Sequence, residues 1–65
     1  MHITLESDYA VRIVACLASE NKRIDAKTIS QKNNVSLRFA LKILRKLVES
    51  GIVKSYKGTQ GGYEL

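Results

Sequence analysis

Apolar residues in the first segment of the chain recur at intervals of three and four, the spacing of one face of a helix. They are Tyr9, Ala10, Ile13, Val14, Leu17 and Ala18. Ser7 or Asp8 can serve as the N-cap, because a short polar side chain there accepts a hydrogen bond from a free backbone N–H. The polar stretch 19–23 ends the pattern. We therefore predict a first helix of about four turns.

Two further helices are predicted, separated by a tight turn. Asp25 can cap a short second helix, which buries Ala26, Ile29 and Ser30. The Asn33-Asn34 pair ends it, since asparagine tolerates the left-handed backbone conformation. Ser36 then caps a third helix, which Gly51 ends. The apolar stripe of this third helix consists of Ala40, Ile43, Leu44, Leu47 and Val48.

After the third helix the sequence changes to a hairpin pattern. Residues 52–57 are rich in β-branched and aromatic side chains, residues 58–62 supply turn chemistry, and residues 63–65 are again extended in character. We expect Tyr56 and Tyr63 to face each other as a cross-strand pair. An isolated hairpin is marginal in water, so it must rest on the helices.

The order of these elements is that of a winged helix-turn-helix, a mainly α fold with a small β-hairpin. With 65 residues, the chain forms one domain, residues 1–65, and buries only about 60% of its unfolded surface. A deep catalytic cleft is therefore not expected. The longest apolar run, residues 13–18, is far shorter than the ~20 residues of a membrane span. We expect a cytoplasmic protein with no membrane partner.

The inventory of reactive side chains is small. Cys16 is the only cysteine and His2 the only histidine, which excludes an internal disulfide and a zinc site of several thiolates. No cluster of His, Cys, Asp or Glu has metal-ligand or catalytic spacing. We predict that these residues hold no metal and no cofactor, and that the protein is not an enzyme.

The net charge of +5 is unevenly distributed along the chain. Residues 1–25 carry three basic and four acidic side chains, a net charge of −1. Residues 26–65 carry eight basic and two acidic side chains, a net charge of +6. A basic field of this kind attracts polyanions, of which nucleic acid is the commonest in the cytosol. The other interpretation is an ordinary solvated surface.

The basic residues fall where this fold meets DNA. On the third helix Arg38, Lys42 and Arg45 lie opposite the apolar stripe, on the side that enters the major groove in helix-turn-helix proteins. Lys57 lies beside the glycine-containing hairpin tip, which can contact the minor groove or the backbone. Phe39 is open to two interpretations, a core side chain or an apolar contact with a thymine methyl group.

Four stretches of the sequence resemble one family. They are SDYAVR at 7–12, VSLRF at 35–39, LVESGIV at 47–53 and KGTQGGY at 57–63. Many winged helices share the middle stretches, but the opening Tyr-Ala-x-Arg and the closing Gly-Gly-Tyr are more specific. Together they resemble the Rrf2 family of bacterial winged-helix regulators over essentially the whole chain.

The resemblance implies a transcription factor, usually a repressor, that binds a pseudo-palindromic operator as a homodimer. By position, it places Ser36, Arg38, Phe39 and Lys42 at the major groove. It also places Thr28 against a phosphate and Lys57 at the minor groove.

The sequence departs from the family pattern at two places, and it also ends early. Ala40-Leu41-Lys42 stands where the family often has Leu-Glu-Gln, and Thr59-Gln60 where it often has Pro-Gly, so the operator sequence does not transfer. The family's long dimerisation helix, and the three clustered cysteines of its metal-sensing members, have no counterpart in these 65 residues. We expect the chain to be the DNA-binding part of a longer regulator that forms a homodimer.

The sequence leaves two classes of function open. The first is a sequence-specific DNA-binding regulator that reads the major groove with helix 36–50 and the minor groove or backbone with wing 52–65. The second is a winged-helix interaction module that docks on an acidic protein partner through the same basic face. RNA binding is less favoured, because no exposed aromatic platform for unstacked bases is evident. Competition by nonspecific duplex DNA separates the first two classes.

Overall fold

Three helices are followed by a two-stranded antiparallel hairpin in the computed structural model, which describes residues 4–65. The helices are α1 (Leu5–Glu20), α2 (Ala26–Lys32) and α3 (Leu37–Glu49). The strands are β1 (Lys54–Tyr56) and β2 (Gly62–Glu64). The predicted fold class is confirmed. His2, the single histidine of the chain, lies outside the described residues.

Helix α1 begins about one turn earlier than the apolar pattern indicated. Its N-cap is Thr4, whose hydroxyl accepts a hydrogen bond of 3.1 Å from the backbone N–H of Ser7. The prediction of Ser7 or Asp8 as the cap was therefore wrong. The reason is that the first turn contributes no buried apolar residue: Leu5 is 65% exposed, so helical periodicity is visible only from Tyr9 onward.

The caps of the helix-turn-helix lie at the predicted residues. Asp25 is the N-cap residue of α2, although its carboxylate accepts a hydrogen bond from the Thr28 hydroxyl instead of a backbone N–H. Asn34 has the left-handed conformation, with a φ of 54°, in the turn before α3. Ser36 caps α3 by accepting a 3.1 Å hydrogen bond from the backbone N–H of Phe39. The start of α3 is thus fixed by its own sequence.

The core lies between the three helices and the base of the hairpin. Its buried apolar residues are Ile13, Leu17, Ile24, Ile29, Ala40, Ile43, Leu44, Leu47 and Val53. Four of them come from α3, at the positions of the predicted stripe. Full burial of an aliphatic side chain is worth about 1.5–3 kcal/mol, so the inner face of α3 is strongly held. The outer face of α3 is consequently presented in one orientation.

The hairpin is joined to the helices through the segment that connects α1 and α2. Ile24 donates to the Tyr63 carbonyl at 3.0 Å, and Tyr63 donates to the Ile24 carbonyl at 2.8 Å. This exchange of two backbone hydrogen bonds is the pairing of an antiparallel bridge. The hairpin therefore has a third extended segment along the edge of β2.

The register of the hairpin contradicts the predicted tyrosine pair. Tyr63 lies opposite Ser55, and Tyr56 lies opposite Gly62. Because side chains alternate between the two faces of a strand, a change of one residue in register places them on different faces. The ring of Tyr56 instead lies under the guanidinium of Arg23, with 3.5 Å between Cζ and the ring centroid.

The close approach of β2 to Ile24 requires glycine at position 62. Gly62 has a φ of 148°, and a Cβ there would lie 2.8 Å from the Ile24 carbonyl oxygen.

We predict that Gly62→Ala lowers the free energy of unfolding by about 2 kcal/mol or more, through both backbone strain and steric overlap. Gly51→Ala is the control, since Gly51 also has a positive φ, of 82°, but has open space around it. It should cost about 1 kcal/mol. Urea unfolding followed by circular dichroism measures both, and equal losses would contradict the role of the Ile24 contact.

An ion pair between Glu20 and Lys32 joins the ends of α1 and α2. The hydrogen bond from Lys32 holds the pKa of the Glu20 carboxyl below its usual value, and the carboxylate raises the pKa of Lys32. A carboxyl whose pKa is lower in the folded state stabilises that state above its unfolded pKa. The contribution is lost as the pH falls through the folded pKa.

We therefore predict that Glu20→Gln weakens the dependence of unfolding free energy on pH below about 5. Lys32→Gln should weaken it equally, because either change removes the same pair. Urea unfolding at a series of pH values measures the effect. A wild-type pH dependence in both variants would show that the pair does not contribute.

Candidate nucleic-acid interface

The outer face of α3 carries the basic side chains that the sequence placed there. Arg38, Lys42 and Arg45 are all exposed, whereas Ala40 and Leu44 on the opposite side are fully buried. Their contact with DNA stays a prediction, but the separation of the two faces is a feature of the structure. The helix can therefore offer cations to a ligand without loss of core contacts.

The three cations differ in their ion-pair partners. Arg45 Nε lies 3.3 Å from Glu49 Oε1, one turn along the same helix. Lys42 Nζ lies 3.3 Å from Glu6 Oε2. Within residues 4–65 no acidic side chain pairs with Arg38. Arg38 is also in the first turn of α3, where the helix dipole disfavours a cation by a few tenths of a kcal/mol, so a phosphate there would relieve an unfavourable interaction.

Glu6 is a feature of this surface that the sequence did not reveal. Its carboxylate lies between two lysines of α3, with Oε1 2.6 Å from Lys46 Nζ and Oε2 3.3 Å from Lys42 Nζ. The hydrogen bond from Lys46, and then that from Lys42, hold the pKa of Glu6 below its usual value. No local pattern links residues so far apart in the chain. The carboxylate is therefore ionised at neutral pH within a surface of positive charge.

Thr28 is partly buried on α2, and its hydroxyl is already engaged. It donates to the Asp25 carboxylate, which holds the pKa of Asp25 below its usual value. A hydroxyl has one hydrogen to donate, so contact with a phosphate requires Thr28 to release Asp25. The predicted phosphate contact of Thr28 stays a prediction.

Phe39 and Ser36 both have structural roles at the start of α3. The Phe39 ring packs edge-on against Tyr9, with ring centroids 5.5 Å apart and an interplanar angle of 89°. This is the core interpretation of Phe39, although the side chain remains partly exposed. The Ser36 hydroxyl, which caps the helix, is exposed. The contacts of both residues with bases stay predictions.

The hairpin, here called the wing (residues 52–65), contributes exposed charge beside α3. Lys57 is exposed at the start of the loop between the strands. A shallow groove runs between α3 and the wing, and both Arg45 and Lys57 line it. The structure thus brings together one predicted site residue from the helix and one from the wing.

Arg23 is a second residue that sequence reasoning missed. Beyond its stacking on Tyr56, its Nη1 donates to the Gln60 carbonyl at 3.1 Å, and its Nη2 lies 3.5 Å from Glu64 Oε1. It therefore contacts β1, the loop and β2 of the wing together. Its partners lie more than 30 residues further along the chain, so no local sequence signal identifies it.

Residues 4–65 contain neither a cluster of metal-ligating side chains nor a helix suited to span a membrane. No group of three or more His, Cys, Asp or Glu side chains is placed there to hold a metal ion. None of the helices formed by these residues has the length and apolar character needed to cross a membrane.

Comparison with known proteins gives the context for this surface. Relatives matched over the whole chain include protein rrf2 of Nitratidesulfovibrio vulgaris, at 30% identity, and the HTH-type transcriptional regulator NsrR of Bacillus licheniformis, at 28%. The chain covers 45% and 47% of those two proteins. It therefore spans about half the length of these relatives.

Solved structures agree with the sequence matches. The global cysteine regulator CymR of B. subtilis superposes with a TM-score of 0.91 at 31% identity, and IscR of T. potens with 0.86 at 27%. All of this chain is covered in both cases, against 52% and 49% of the two solved chains. The Rrf2 family model, described as an iron-dependent transcriptional regulator, matches residues 3–65. The chain belongs to the Rrf2 family of transcriptional regulators.

Proposed function

We propose that this chain binds double-stranded DNA, with α3 in the major groove and the wing against the minor groove or the backbone. The observation that supports this most directly is the exposed cationic face of α3, whose opposite face is fixed in the core. A rigid cationic helix flanked by a basic hairpin matches the docking geometry of helix-turn-helix proteins.

Each basic residue has a proposed part in this complex. Arg38 and Lys42, in the first two turns of α3, contact base edges, and Arg45 contacts the backbone beside the groove shared with the wing. Lys57 reaches the minor groove or its phosphates.

The other three predicted contacts involve uncharged side chains. Ser36 faces the major groove while it caps α3, and Thr28 binds a phosphate after it releases Asp25. The exposed part of Phe39 touches a thymine methyl group.

The wider biology is proposed from the family. We infer that the chain belongs to a cytoplasmic repressor that binds a pseudo-palindromic operator as a homodimer. The iron named in the family description has no fitting ligand set in residues 4–65. Cys16 is a single half-buried thiol on α1, and within residues 4–65 it belongs to no group of three or more His, Cys, Asp or Glu side chains that could hold a metal ion. Any iron site in the longer proteins would therefore need ligands from elsewhere.

The proposed contacts predict a definite salt dependence. If Arg38, Lys42, Lys57 and one or two others each neutralise a phosphate or lie in a groove of the duplex, log K against log salt should have a slope of roughly −4. Fluorescence anisotropy titration of a labelled duplex at several salt concentrations measures it. A slope near zero, together with weak competition by nonspecific duplex, would instead favour docking on an acidic protein partner.

A second prediction separates base contacts from backbone contacts. Lys42→Ala should weaken a selected operator by roughly 1–3 kcal/mol and barely change a scrambled duplex, because lysine can donate to guanine O6 and N7. Lys57→Ala should weaken both duplexes and reduce the salt slope by about 1. Anisotropy titrations on both duplexes measure this. Equal losses on both duplexes in the two variants would show that Lys42 does not read bases.

A further inference from the structure

Glu6 places a full negative charge on the surface proposed to bind a polyanion. It lies in the first turn of α1, and its side chain is 36% exposed. Of the two α3 lysines that it contacts, Lys42 is the one proposed to read bases, while Lys46 forms the shorter contact, of 2.6 Å. One carboxylate thus connects the N-terminal turn of α1 to two successive turns of α3.

We propose that Glu6 is a specificity-determining residue, which competes with DNA phosphates for Lys42 and so restrains binding to random sequence. The proposal rests on the proposed function, since it concerns the same surface. It assigns to Glu6 a role in discrimination and not in affinity.

The physical argument begins with the donors of lysine. An ammonium has three N–H donors, so Lys42 can keep a contact with Glu6 while it donates to another acceptor. The acceptors on a guanine edge belong to an uncharged base, whereas a phosphate carries a full negative charge. A carboxylate beside Lys42 therefore repels a phosphate much more than it repels a base edge.

The repulsion between Glu6 and phosphates weakens binding to random duplex more than binding to a specific site. Binding to random duplex depends almost entirely on phosphate neutralisation, whereas a specific complex also gains from base contacts. Discrimination can be achieved by a repulsive element directed against the wrong complex. Since exposed ion pairs are weak, the expected effect is a change of several-fold and not an all-or-none switch.

Asp8 offers a matched control on the same turn of the same helix. Its Oδ2 lies 3.2 Å from Arg12 Nη2, within α1, and no ion pair joins it to α3 in the part of the chain that the structure describes. Glu6→Gln and Asp8→Asn each remove one negative charge near the N-terminus of α1, but only Glu6→Gln frees Lys42. A difference in affinity between the two variants therefore measures the effect of the Glu6–Lys42 contact, separately from the effect of net charge.

The test measures the affinity of wild type and both variants for a random duplex by anisotropy, at about 50 and 150 mM salt. Circular dichroism melting confirms that each variant is folded. We expect Glu6→Gln to bind the random duplex about 3- to 10-fold more tightly at the lower salt, with a salt slope steeper by about 1. Asp8→Asn should change the affinity less than about 2-fold. On an operator obtained by selection, Glu6→Gln should gain less than on the random duplex.

Several results would overturn the proposal. Equal gains in affinity in the two variants would show that the effect comes from net charge alone. Weaker binding by Glu6→Gln would show that the carboxylate stabilises the complex. In a Lys42→Ala background, the gain in affinity for random duplex from Glu6→Gln should fall by at least half. A smaller fall would show that the effect does not act through Lys42. Failure of the wild type to bind duplex at all would instead refute the proposed function, so the two failures are distinguishable.

Discussion

The pair of backbone hydrogen bonds between Ile24 and Tyr63 is the interaction on which the position of the wing depends. A hairpin with three residues in each strand is marginal alone, and each net hydrogen bond contributes only about 0.5–1.5 kcal/mol. The bridge succeeds because it lies over buried apolar residues, with Ile24 and Val53 both in the core. It also explains why Gly62 is required, since only a residue without Cβ lets β2 approach the Ile24 carbonyl so closely. Lys57 is thereby held near α3.

The elements that the sequence predicts well are those whose signals are local. The cap at Ser36, the apolar stripe and Gly51 all lie within or beside one helix, so periodicity and capping rules locate α3 correctly. The register of the hairpin was not predictable in the same way. Strand β2 pairs with Ile24 as well as with β1, and the positions of the tyrosines indicate neither pairing. The cap of α1 was missed for a related reason, since its exposed first turn adds nothing to the apolar pattern.

The candidate site shows the same division between local and distant information. The outer face of α3 follows from helical spacing, so the exposure of Arg38, Lys42 and Arg45 was predictable. The partners of these side chains were not, because the Glu6 carboxylate lies about forty residues from the lysines it contacts. Arg23 was missed for the same reason. Net charge by segment indicated the correct sign of the surface but could not show which cations are already paired.

The pairing pattern changes how the positive charge of the chain should be understood. Acidic residues of the N-terminal segment lie against lysines of the basic segment, Glu6 against Lys42 and Lys46, and Glu20 against Lys32. Arg38 and Lys57 have no such acidic partner among residues 4–65.

On the proposed function, the unpaired cations of α3 and the wing are, in the described part of the chain, Arg38, Lys54 and Lys57, which lie at the N-terminal turn of α3 and on the hairpin. A lysine paired with a carboxylate gains less from a phosphate than an unpaired cation does, because the carboxylate repels the phosphate. Two such domains linked across half-sites one helical turn apart would add their base contacts. Such an arrangement favours discrimination between sequences over general affinity for DNA, because both sets of base contacts are gained only on the operator.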